Sequence, residues 1–209
     1  ACGPRGPIAT GFHQLKQLLN VRASAEIAKV HEPTPQKGSL IGWGGEEPME
    51  RPNVSIVGSG HTKFGRLEAQ NLEDLIVAAG REAIDTAGVA PGDIDATFLG
   101  HFNSGLVPDG FASSLIHQIA PELRFKPATR LENACASGSA AVFAGITAIQ
   151  AGQAEVVLVV GVEKMTSRSN ADVTKALTGA GYQNDSDEAQ LSFPQVFAIA
   201  AGDYATRYR

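Results

Sequence analysis

From Asn53 onward the sequence predicts an α/β fold, a mixed and mostly parallel sheet with helices on both faces. Three observations carry that reading. Short apolar runs near residues 54–57, 94–99, 128–131 and 155–161 alternate with helix-patterned segments. The last run, Glu155-Val156-Val157-Leu158-Val159-Val160-Gly161, is continuous in the way of a strand buried on both faces. Between the first two runs, Leu72, Leu75, Ile76, Ala79, Ala83 and Ala87 recur at the helical spacing of about 3.6 residues, which marks one apolar helix face.

Each element follows from local chemistry. Val54-Ser55-Ile56-Val57 lies between Pro52 and Gly58 and reads as a buried strand, followed by a Gly-rich turn from Gly58 to Gly65. That turn is no dinucleotide fingerprint: Lys63 stands at the third Gly position, and no helix opens there. Asn71 caps the next helix, Glu73 and Asp74 suit its first turn, Gly88 ends it and Pro91-Gly92 turns the chain. A second strand runs from Ile94 to Leu99, a helix from about Gly110 to Ala120 before Pro121, and a third strand over Ala128–Leu131. A helix over about Ser137–Ala151 stops at Gly152. Residues 166–192 read as a polar loop, and Phe193-Pro194 opens a last helix with Val196, Phe197, Ala200 and Ala201 as its apolar face.

Residues 1–48 form a separate segment, an extension of uncertain kind, with the main domain spanning 49–209. Phe12, Leu15, Leu18 and Leu19 suggest a short helix over 11–22; His31-Glu32-Pro33-Thr34-Pro35 breaks it, and Gly38 to Gly45 is loop-like. A poorly ordered arm is the expectation here, with Trp43 as a possible docking anchor. Met49 stands where a native start would, which makes 1–48 upstream sequence, a tag or a fusion scar on one reading. The start lacks a secretory signal pattern. The domain is expected to be cut at its C-terminal end.

Composition excludes several classes. Seventeen Lys and Arg against 22 Asp and Glu give a net charge of −5, which argues against a nucleic-acid footprint. Hydrophobic residues make up 43% and charged residues 19%, which are globular values rather than those of a disordered chain. No apolar stretch approaches the roughly 18 residues of a membrane span. None of the five histidines stands at metal-ligand spacing with Cys or carboxylates, so no metal site is expected. His61, His101 and His117 are expected to be exposed or packing residues, although His101 ends a strand and could face a cleft. Asp185-Ser186-Asp187-Glu188 reads as a solvated acidic loop, and Met165 as core filler.

Two cysteines, Cys2 and Cys135, cannot build a disulfide framework and fit a reducing compartment. Cys2 is expected to be inert. Cys135 lies where a strand turns into a helix N-terminus, a place whose free N–H groups and dipole favour the nucleophilic thiolate. Its neighbours Ala134, Ala136, Ser137 and Gly138 are small, which lets a carbonyl approach. A buried structural cysteine is the competing reading.

Residues 49–209 resemble the N-terminal half of a thiolase, especially of the sterol-carrier-protein type and its bacterial and archaeal relatives. The resemblance rests on Val54-Ser55-Ile56-Val57-Gly58 with Thr62-Lys63-Phe64-Gly65, on Glu132-Asn133-Ala134-Cys135-Ala136-Ser137-Gly138-Ser139-Ala140-Ala141, on Val159-Val160-Gly161-Val162-Glu163-Lys164-Met165, and on Phe193-Pro194 with Ala198 to Tyr204. The cysteine segment is its most specific part. The resemblance implies a thiolase-like fold and an acetyl-CoA C-acyltransferase, with Cys135 as catalytic nucleophile carrying the acyl group as a thioester, in 3-oxoacyl-CoA cleavage or Claisen condensation within lipid or sterol side-chain metabolism. Coenzyme A thioesters are then the substrates, no bound cofactor is expected, the cofactor-binding residues are unknown, and a homodimer or higher homo-oligomer follows. The location implied is cytoplasmic, or peroxisomal or mitochondrial in a eukaryote. In such enzymes the activating His, the oxyanion-hole groups and a second Cys come from the C-terminal half, so this chain alone is expected to have little activity. Gly6-Pro7-Ile8-Ala9-Thr10-Gly11 is similar to part of a loop of that half but lacks its His, and is given no role. Alternatives are a ketoacyl synthase-like or hydroxymethylglutaryl-CoA synthase-like condensing enzyme, and a non-catalytic thiolase-like subunit serving dimerisation or lipid binding.

Overall fold

The computed structural model describes residues 23–31, 53–184 and 190–208. The expected helix over 11–22, Trp43, Cys2, Met49, the Gly6–Gly11 loop and the acidic run 185–188 lie outside them. Five strands form one mixed sheet: β1 (Ala23–His31), β2 (Asn53–His61), β3 (Ala96–Gly100), β4 (Ala128–Leu131) and β5 (Val156–Val162), in the order β2-β1-β5-β3-β4. β3 runs parallel to β4 and to β5, while β1 is antiparallel to both β2 and β5. β2 therefore points the same way as the three parallel strands, and β1 alone is reversed.

β5 shows why the sheet is three layers deep. Val156, Leu158, Val160 and Val162 face one hydrophobic cluster, and Val157 and Val159 face another. The first cluster is closed by α1 (Leu72–Ala87), which buries Leu72, Leu75, Ile76, Ala79, Gly80, Ala83 and Ile84. The second is closed by α2 (Ser137–Gln150), through Ala141, Ala148 and Ile149. Helices thus cover both faces. α2 buries one stripe only; Phe143 on its outer side is 69% exposed.

Within residues 53–208 three elements differ from the sequence reading, each for a physical reason. β2 continues through Gly58-Ser59-Gly60 instead of turning there. A Cβ at Gly60 would come within 2.1 Å of the Ala79 carbonyl oxygen, and one at Gly58 within 2.5 Å of the Ala83 oxygen. These glycines let α1 lie directly on the strand. β2 is also an edge, so Ile56 is 59% exposed rather than buried. The helix expected over Gly110–Ala120 is a shorter 3₁₀ helix, Ala112–Gln118. It has no side-chain cap and Pro121 follows closely, which suits the tighter coil. Part of the expected polar loop is α3 (Asn170–Thr178), nucleated by Ser169, whose Oγ accepts from the Asp172 N–H at 3.2 Å and donates to the Asp172 carboxylate at 2.7 Å.

Within the expected arm, residues 23–31 are an interior strand. Ala25 and Ile27 join the α1-side cluster, and Ala28 joins the α2-side cluster. α4 (Phe193–Arg207) forms where Phe193-Pro194 predicts it, with a Ser192–Gln195 capping box, but its expected apolar face is uncovered: Phe197 is 61% exposed and none of its residues is buried.

Candidate active site

The site is built at the C-terminal ends of parallel strands, where open α/β sheets place their ligands. β4 ends at Leu131, α2 begins at Ser137, and the five residues between them make a tight elbow. Ala134 sits at φ +45, a left-handed conformation that is strained for a residue bearing a Cβ. Cys135 follows it immediately and is exposed. Ser137, buried, ties the elbow together: its Oγ accepts from the Asn133 N–H at 2.9 Å and donates to the Ala134 carbonyl at 2.7 Å. The Ala136 N–H closes the turn onto the Asn133 carbonyl at 2.8 Å. α2 has no side-chain cap at Ala136, so no side chain there competes for its first-turn N–H groups. The cysteine therefore precedes the helix, on its N-terminal side, as the sequence places it.

Cys135 opens into a cavity of about 230 Å³. Ala134, Val162, Met165, Leu177 and Ala180 give it an apolar lining, and among the described residues Glu163 is the one ionisable residue of that lining besides Cys135. Gly100 belongs to the same wall. A Cβ there would meet the Ser137 oxygen at 2.6 Å, so β3 can end against the head of α2 only with glycine in place. Met165, expected in the core, borders both this cavity and the small cluster of Leu106, Val173 and Ala176.

His101 is a packing residue, fully buried, and outside the lining of the cavity. Its Nδ1 lies 2.9 Å from the Val162 carbonyl, an acceptor only, so Nδ1 carries a proton; Nε2 is buried with no partner among the described residues. Glu163 Oε1 is 3.3 Å from the same Nδ1 and accepts from the Phe102 N–H. His117 Nε2 lies 3.1 Å from the Lys126 carbonyl, and His61 stacks obliquely on Phe64; neither residue lines the thiol's cavity. Among the described residues no three His, Cys, Asp or Glu gather closely enough to hold a metal ion.

Two polar residues of weight were not singled out from the sequence. Glu163 follows a continuous apolar strand, and a carboxylate in that place was the available signal. Lys164 is buried, with Nζ donating to the Leu67 carbonyl at 2.7 Å and to Thr166 Oγ1 at 3.1 Å. Burial pushes its pKa below the ordinary lysine value, partly opposed by the nearby Glu68 carboxylate. It lines a second, separate cavity of about 510 Å³ beside the start of α1.

Residues 54–208 match the family model described as thiolase, N-terminal domain. Over 157 residues the chain is 40% identical to an acetyl-CoA acetyltransferase of Methanocaldococcus jannaschii, covering 75% of this chain and 39% of that one. It is 38% identical over 157 residues to an acetyl-CoA acetyltransferase of Methanothermobacter thermautotrophicus, covering 75% and 40%. A solved acetyl-CoA acetyltransferase from Syntrophomonas wolfei aligns with 26% identity and a TM-score of 0.39, over 46% of this chain and 24% of that one. The chain thus spans about two fifths of the length of the curated relatives it matches.

Proposed function

Because the chain belongs to the thiolase family, with the N-terminal domain as its matched part, we propose that it supplies the acyl-accepting cysteine of an acetyl-CoA C-acyltransferase. The observation that carries this reading is an exposed Cys135 on a strained elbow, open to a largely apolar cavity. In the cleavage direction the sulfur attacks the 3-oxo carbonyl of a 3-oxoacyl-CoA. The C2–C3 bond breaks, the departing enolate takes a proton and leaves as acetyl-CoA, and the shortened acyl group remains on sulfur. The thiol of free coenzyme A then attacks that thioester and regenerates Cys135. Splitting one acyl transfer into two is what a nucleophilic cysteine offers.

The small flanks leave the sulfur approachable, and the apolar lining suits the carbon chain of an acyl group rather than a polar head. The enolate's stabilisation and the proton transfers call for hydrogen-bond donors and a general acid in addition to the thiol. Exposed apolar residues on α4, and Phe125 at 93% exposure beside the edge strand β4, fit a further domain or a second copy covering those surfaces; a homodimer is the assembly we infer.

The test is direct. The chain is joined to the remaining C-terminal part of the Methanocaldococcus jannaschii relative and incubated with acetyl-CoA. Intact-mass and peptide spectra are expected to show an acetyl group on Cys135, absent from Cys135→Ala. A folded chimera that takes no acetyl group, or a Cys135→Ala protein with full turnover, removes the assignment and leaves a binding subunit as the better reading.

A further inference from the structure

The wall of the Cys135 cavity is held by a carboxylate seated on backbone. Glu163, the residue after β5, accepts from the N–H of Phe102 and has both oxygens 3.3 Å from the N–H of Asn103. From the other side Arg130 donates through Nε to the His101 carbonyl and through Nη2 to the Phe102 carbonyl, each at 3.0 Å. The segment 101–103 is thus gripped by its N–H groups on one side and by its carbonyls on the other. The grip ends at a left-handed turn: Asn103 at φ +60 takes a conformation that asparagine tolerates, and the next residue, Ser104 at φ +45, holds one that its surroundings must impose. Successive N–H groups converging on one point make an anion-binding concavity. Here the chain's own carboxylate fills it, and both Phe102 and Glu163 border the cavity into which Cys135 opens.

We propose that Glu163 is a positioning residue: seated on the Phe102 and Asn103 amides, its carboxylate fixes the cavity wall and so sets how readily Cys135 reacts. This rests on reading Cys135 as the acyl acceptor. It requires no proton exchange between Glu163 and the sulfur; the carboxylate acts through the backbone it holds.

Three variants of the 209-residue chain test it. Glu163→Ala empties the seat, Glu163→Gln keeps one acceptor oxygen without the charge, and Glu163→Leu fills the seat with carbon. In the wild type the amide protons of Phe102 and Asn103 are expected far downfield in NMR spectra, as carboxylate-bonded amides are. In Glu163→Ala they move upfield, and formate, a carboxylate small enough for the vacated seat, returns them. The alkylation rate of Cys135 by iodoacetamide is expected to change by roughly ten- to a hundredfold in Glu163→Ala. It should recover along the same formate titration, be intermediate in Glu163→Gln, and be insensitive to formate in Glu163→Leu. A wild-type rate in Glu163→Ala overturns the proposal, as does formate that restores the amide resonances but not the rate. If Glu163→Ala fails to fold, Glu163→Gln decides: shifted amide resonances with an unchanged rate overturn it. Alkylation needs no acyl transfer, so a failure of Cys135 to accept acetyl groups remains a separate result.

Discussion

Ala134 holds φ +45, and that strained turn is what carries Cys135 out of the strand and presents it before the helix begins. A left-handed residue with a Cβ costs roughly 1–2 kcal/mol, against about 0.5–1 kcal/mol for the extra unfolded-state freedom of glycine. Ala134→Gly should therefore raise stability slightly, by about 0.5 kcal/mol on that balance, while Ala134→Val lowers it; urea unfolding of the two variants checks the sign. Ser137 is the counterweight to the strain. Replacing it by Ala removes the acceptor of the Asn133 N–H and should cost about 1 kcal/mol, because water can reach that amide, with slower alkylation of Cys135 in the same protein. Unchanged alkylation would mean that the elbow holds without the serine. The place of Cys135 was legible in the sequence, because a cysteine flanked by small residues at a strand-to-helix junction is a local pattern. Glu163 was not, because its meaning lies in two backbone amides some 60 residues earlier, a contact no local pattern encodes.

Among the elements, α1 was read correctly down to its cap. The Asn71 and Asp74 side chains each accept the other's backbone N–H, at 2.9 and 2.8 Å, and such reciprocal capping is written in four consecutive residues. α3 was missed although it carries a similar signature, Ser169 three residues before Asp172, because only Val173 and Ala176 of it are buried and the hydrophobic period is too short to see. β1 was missed for a different reason. Ala-Ser-Ala-Glu-Ile-Ala-Lys-Val-His is apolar mainly through small alanines, with Ile27 and Val30 its only large aliphatic residues, so no strand pattern stands out; its central place between β2 and β5 is what buries it. That place makes a prediction. Ile27 is fully buried against the α1-side cluster, so Ile27→Ala should cost about 2–4 kcal/mol in equilibrium unfolding. A loss near zero would show that the sheet does not depend on β1.

At the scale of the whole molecule, one buried cation gives the fold a pH dependence that can be read with its sign. Lys164 lies beneath the start of α1 with its ammonium bonded to the Leu67 carbonyl and to Thr166, and burial holds its pKa below 10.5 in the folded state. In the unfolded chain it returns to that ordinary value. Between the two values the unfolded state binds the extra proton, so stability must rise with pH across that window. Below the window the lysine is charged in both states, and the folded protein bears the full cost of burying the charge. Above it the lysine is neutral in both, and that cost is gone. Urea unfolding of wild type and Lys164→Met at a series of alkaline pH values isolates this contribution from the other titrating groups. The wild type should gain stability relative to the variant as pH climbs toward 10.5, and a difference that stays flat or falls would mean that Glu68 and the two hydrogen bonds outweigh the desolvation of the ammonium.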